Sequence, residues 1–178
     1  MRDLEIQLKE PFEPSKLEWR VQQAGKQNDN QTGEVKHWAL VLAYVTNRAI
    51  MDRLDEVFGI EGWSNEFTVS PGGGILCGIT AYFKEVPITK YDGAENTAIE
   101  PVKGGLSNAM KRSAVMWGIG RYLYDLEATF VSMGELKPPN MKGYGIHYDK
   151  DSKKRYYWKH PELPEWALPK VTKPSVKG

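Results

Sequence analysis

The segment from Lys103 to Leu126, KGGLSNAMKRSAVMWGIGRYLYDL, constrains this chain more than any other, because it joins an apolar stripe to unneutralised positive charge. It reads as one long helix. At a helical period Leu106, Ala109, Met110, Trp117, Leu123 and Tyr124 share a face, Lys111 and Val115 point away from it, and Arg112 lies at its edge. Lys103, Lys111, Arg112 and Arg121 are its four bases, with no Asp or Glu as far as Tyr124, so the polar face needs solvent or an anionic partner. Gly118 and Gly120 each cost about 1 kcal/mol relative to alanine inside a helix. Their expected use is geometric: close packing against a neighbouring element or ligand, or a bend between Trp117 and Tyr122.

What precedes this helix reads as short strands around a smaller helix. A helical turn over Asp3–Lys9 ends at Pro11 and Pro14, and alternation makes Leu17–Val21 a strand. Gln22–Gly33 is polar and turn-rich and reads as a loop, and the apolar run Trp38–Tyr44 as a buried strand. Thr46 or Asn47 caps a helix whose apolar positions are Ile50, Met51, Leu54, Val57 and Phe58, ended by Gly59. Asn65–Ser70 and Ile75–Lys84 form a hairpin about Pro71-Gly72-Gly73-Gly74, and Pro87 interrupts pairing before a third strand, Ile88–Tyr91. The expected fold class is α+β: an antiparallel meander packed on one long helix, with a short helix and an appended tail. Residues 1–133 are the expected core. Residues 134–178 read as a proline- and aromatic-rich tail, with prolines 161, 164, 169 and 174 and a hairpin around Asp151–Lys154, lacking a core of its own. That tail is expected to serve docking or assembly and to be dispensable, from about Pro138, for the fold and its main contacts.

A chain of 178 residues suits one domain and a tail. The single cysteine, Cys77, leaves no disulfide framework, and without a Cys/His cluster a structural zinc site is not expected. The amino terminus is charged rather than basic-then-apolar, which makes a soluble cytoplasmic protein the expectation. Net charge is +1 overall but runs from −6 over residues 1–100 to +4 over 101–124 and +3 beyond, so a polyanion would meet the second half first.

Candidate chemistry is sparse. Asp92, Glu95 and Glu100 suggest a metal-dependent nuclease, although acids in a Gly/Asn-rich turn before a helix are ordinary dipole partners. His37, His147 and His160 share no ligand spacing, and the Gly72–Gly74 cluster lacks the lysine and hydroxyl of a phosphate-binding loop. No cofactor is implied. A basic helix with aromatics is what single strands are held by, through cations on the backbone and planar side chains on open bases. Trp63, Tyr91, Trp117, Tyr122 and Tyr124 are the candidate aromatics, core filling being their alternative role.

Specific motifs carry a resemblance. Val41–Arg48 leads to Asp55–Gly59, then Gly62-Trp63, Cys77-Gly78, Met110-Lys111-Arg112 and Trp117–Gly120. In this order they resemble the short phage and bacterial form of the Rad-fifty-two/Rad-twenty-two family of single-strand annealing proteins, over about residues 5 to 130. The resemblance implies a meander against a long helix, homo-oligomeric rings or filaments, and single-stranded DNA in a basic groove. It puts Lys111 and Arg112 at the groove-lining basic pair and Arg48 near a basic position at the start of the short helix. A further arginine of eukaryotic members is Val115 here, which implies either a less basic groove or one that uses Lys103 and Arg121 instead. The implied activity is ATP-independent annealing in homologous recombination and double-strand break repair by a non-enzymatic protein of phage or prophage origin. It would act at the nucleoid of a bacterial host, alongside a phage or host single-strand-binding protein. A nuclease, or passive protection of single-stranded ends, is the alternative.

Overall fold

Residues Leu17 to Val45 form one long antiparallel hairpin in the computed structural model, which describes residues 2–28, 30–96 and 101–170. Strand β1 (Leu17–Asn28) pairs with β2 (Val35–Val45), and β2 with β6 (Thr129–Met133), in the order β1-β2-β6. Strand character therefore runs past Val21 through most of the stretch expected to be a loop. Ladder hydrogen bonds to β2 satisfy that polar backbone, so composition does not decide it. A bulge between Val21 and Gln23 adds one residue, which keeps Val21 and Ala24 on the same apolar face despite their odd spacing.

The short helices follow local chemistry. In α2 (Asn47–Phe58) the Thr46 hydroxyl accepts from the Ala49 N–H at 3.2 Å, and Gly59 closes the far end at φ 77°, its N–H donating to the Asp55 carbonyl. Both caps agree with the sequence. Arg53 is buried on α2, and its guanidinium donates to the carbonyls of Gln7 (2.7 Å) and Glu10 (2.8 Å) at the end of α1 (Arg2–Lys9). One arginine thus satisfies carbonyls that the helix end would leave open.

The meander is β3 (Trp63–Val69), β4 (Ile75–Phe83) and β5 (Val86–Ala94), in that order. Lys84 and Glu85, both at positive φ, make the two-residue turn from β4 to β5. Pro87 does not interrupt the pairing as expected: it sits within β5 opposite Tyr82, tolerated because β5 is an edge strand.

The long helix is shorter than its periodicity predicts. α3 spans Pro101–Met116, and Trp117 to Gly120 form a turn before a 3-10 segment, Arg121–Asp125. Gly118 stands at φ 95°, with its N–H bonded to the Val115 carbonyl and the Ile119 N–H to the Ala114 carbonyl. That pair of bonds is a Schellman cap, and it needs a left-handed residue in the glycine's place. Gly118 therefore ends the helix, and the close packing expected of the glycines is present as well: a Cβ at Gly120 would come within 3.1 Å of Val45 on β2. The apolar face changes accordingly: Trp117 and Leu123 stay in the core, while Tyr124 is exposed.

Two cores result. The larger joins α1, α2, α3, the meander and the base of the first hairpin through Leu54, Ile79, Met110, Ala114, Trp117 and Ile119. The smaller lies between β2, β6 and a second hairpin, β7 (Tyr144–Asp149) with β8 (Lys154–Lys159). Tyr156 and Trp158, each 2% exposed, pack there with Ala39, Val41 and Met133. The hairpin expected around Asp151–Lys154 is present, and it shares a core with the first sheet instead of hanging free. Pro174 lies outside the described residues.

Candidate nucleic-acid interface

Strand alternation and helix pitch together build a groove between the first hairpin and α3. Leu17, Ala43 and Val45 turn into the larger core, so Glu18 and Arg20 on β1, with Leu42 and Tyr44 on β2, take the opposite face, Glu18 directly across from Tyr44. Lys111, Arg112 and Val115 of α3, with Tyr124 beyond its end, form the other wall. The open groove has a volume of about 910 Å³.

Its cations are held in ion pairs. Lys111 donates to Glu18 Oε1, which also accepts from Arg20 Nη2 at 2.9 Å. Arg112 Nε donates to Asp92 Oδ1 at 3.1 Å. Two charges lie over the Tyr44 ring, the Arg20 guanidinium 5.4 Å and the Lys111 ammonium 5.9 Å from its centre. Burial holds the Lys111 ammonium below the usual lysine range, against the opposing pull of Glu18.

Of the five bases singled out in the sequence, the structure brings two into this groove. Arg112 is half exposed, but Lys111 is only 8% exposed, which corrects the expectation that it points away from the core. Its side chain is packed at the helix–hairpin junction, where the ammonium meets Glu18, and it still contributes to the groove lining. Arg121 folds back on α3, donating to the carbonyls of Val115 (3.0 and 2.7 Å) and Met116 (3.2 Å), where it complements the helix dipole. Lys90 Nζ bonds the same Met116 carbonyl at 2.9 Å. Arg48 is exposed in the first turn of α2 and Lys103 in that of α3, both outside the groove lining.

The candidate aromatics divide. Tyr124 lines the groove. Trp117 is in the core, its indole N–H donating to the Ile79 carbonyl, and the Tyr122 hydroxyl accepts from the Phe12 N–H. Tyr91 bonds Glu66 and Trp63 bonds Asp55, both on the meander side. The groove's second aromatic, Tyr44, and its third base, Arg20, are not among the sequence's candidates. The alternation of Leu17–Val21 marks Arg20 as outward, but only the cross-strand register shows what it faces.

In the acidic set, Asp92 Oδ1 already accepts from Arg112 and from the Gly93 N–H at 2.7 Å, and Glu95 lines the groove. Glu100 lies outside the described residues.

The model of the Rad52/22 family double-strand break repair proteins matches residues 1–73 and 78–141. The chain belongs to that family. Relatives within reach are the single-stranded DNA-binding protein DdrA of Deinococcus radiodurans, 31% identical over 171 residues, and that of Deinococcus deserti, 30% identical over 171 residues. The similarity covers 95% of this chain in both cases, and 69% and 72% of the two relatives. Arg20, Tyr44, Lys111 and Arg112 all fall within the Rad52/22 match, whereas β7 and β8 lie beyond it.

Proposed function

We infer that this Rad52/22 family protein binds single-stranded DNA in the groove between α3 and the first hairpin, and that it promotes annealing of complementary strands. The observation that carries this reading is the convergence of Arg20 and Lys111 on the Tyr44 ring, with Arg112 lining the same groove. Cations along a groove neutralise phosphate repulsion, and an aromatic face stacks a base without selecting its sequence. Annealing is downhill once bases meet, so neither nucleotide hydrolysis nor a catalytic acid or base is required. The names of the Deinococcus relatives support the same ligand.

Assembly belongs to this reading. One module holds roughly 4 to 16 nucleotides, and a longer continuous track needs several copies. β3 is an edge strand whose Phe67 and Val69 are exposed, a surface that pairing or packing with a second copy would cover. Light scattering at micromolar protein with DNA should show a homo-oligomer; a monomer contradicts it.

The deciding experiment is annealing of fluorescently labelled complementary oligonucleotides without ATP. Acceleration over the spontaneous rate is expected. Binding without acceleration would indicate passive protection instead, and magnesium-dependent degradation of the strands would indicate a nuclease.

A further inference from the structure

The three bases of the groove do not present free charge: Glu18 holds Lys111 and Arg20, and Asp92 holds Arg112. Two carboxylates from separate strands, β1 and β5, thus reach the bases of α3 and the first hairpin, and Glu95 adds a further negative charge to the wall. The Arg20–Glu18 and Arg112–Asp92 pairs do not serve to bury their bases, since Arg112, Arg20 and Glu18 all remain a third or more exposed, whereas Lys111 is buried and meets Glu18 at the groove wall. An incoming phosphate meets each of these bases with a carboxylate already beside it.

We propose that Glu18 and Asp92 are internal counter-charges that compete with DNA phosphates for Lys111, Arg20 and Arg112 and thereby set the affinity and release rate of the groove. This rests on the groove being the single-strand site. A fully uncompensated groove would hold a polyanion tightly and release it slowly, whereas annealing requires each strand to leave as a duplex. With the carboxylates present, every phosphate contact is an exchange of one anion for another, and its net gain is small. As the phosphate departs, the carboxylate returns to the base, so dissociation does not leave bare cations behind.

The substitutions Glu18→Gln and Asp92→Asn keep the shape and a hydrogen-bond acceptor while removing the charge. Binding of a fluorescein-labelled single-stranded oligonucleotide would be followed by anisotropy and stopped flow, with thermal melting to confirm the fold. Pairs as exposed as Arg20–Glu18 and Arg112–Asp92 are worth up to about 1 kcal/mol, which is roughly fivefold in affinity. We expect each variant to bind about fivefold tighter at low salt, with slower dissociation and an advantage that shrinks as salt is raised. Unchanged or weaker binding in both variants overturns the proposal, weaker binding meaning that the carboxylates position the bases rather than compete for them. Arg112→Ala, measured alongside, separates the two readings. If it leaves wild-type affinity intact, the groove is not the site and both fail; if it weakens binding while the amide variants bind like wild type, only the counter-charge proposal fails.

Discussion

Lys111 on α3 and Glu18 on β1, 93 residues apart in the chain, meet as an ion pair at the junction of helix and hairpin. The pair ties the two walls of the groove together. The two neighbouring bases of α3 differ in burial: Lys111 is buried, whereas Arg112, paired with Asp92, is half exposed.

Arg112→Ala should therefore leave stability within about 0.5 kcal/mol of wild type and act on binding alone. Losing one phosphate contact should reduce the magnitude of the log–log salt slope by about 0.7. Lys111→Ala should add a stability loss of about 1–2 kcal/mol from its packed stem, which Lys111→Met should largely restore without restoring affinity. Urea denaturation and anisotropy titrations at several salt concentrations check both statements.

Tyr44 is predicted to be a base platform. Tyr44→Ala should cost about 1–3 kcal/mol of single-strand binding if one base stacks there, while Tyr44→Phe should keep most of it. Equal losses in both variants would assign the effect to the hydroxyl and remove the stacking role.

Trp158 closes the smaller core. Trp158→Ala should destabilise the protein by about 3–5 kcal/mol, the range for deleting a buried large aromatic. Truncation after Met133 removes Tyr156 as well and uncovers Ala39 and Val41, so the shortened chain should aggregate or melt early. A soluble truncated protein with wild-type melting would show that the second hairpin is dispensable, as its proline-rich sequence suggests.

Burial pushes the Cys77 thiol up from its ordinary 9.0 to about 11, Ser113 opposing the shift. The folded thiol stays protonated where the unfolded one ionises, so its contribution to stability is complete below pH 9 and is lost as pH rises towards 11. Between pH 8.5 and 10.5 the melting temperature should fall more in wild type than in Cys77→Ala. At pH 8 a thiol reagent should label Cys77 only after denaturant is added.

The sequence by itself determined the parts whose physics is local. Thr46 and Gly59 bound α2 because a hydroxyl acceptor and a left-handed glycine are needed at those ends whatever surrounds them. The hairpin at Pro71–Gly74 and the α+β class follow from turn chemistry and period in the same way. Gly118 was equally local, and reading it as a helix cap would have ended α3 correctly; the apolar period continuing through Leu123 hid it, because a 3-10 turn returned that residue to the same core. Tertiary structure alone decided the groove. Lys111 looks outward on a helical wheel, yet a second wall from residues 17 to 45 covers its stem and supplies Glu18. Likewise, Tyr156 and Trp158 acquired a core only because β2 and β6 offered an apolar face. Burial and ion pairing depend on which distant strand arrives opposite a residue, and no local pattern encodes that partner.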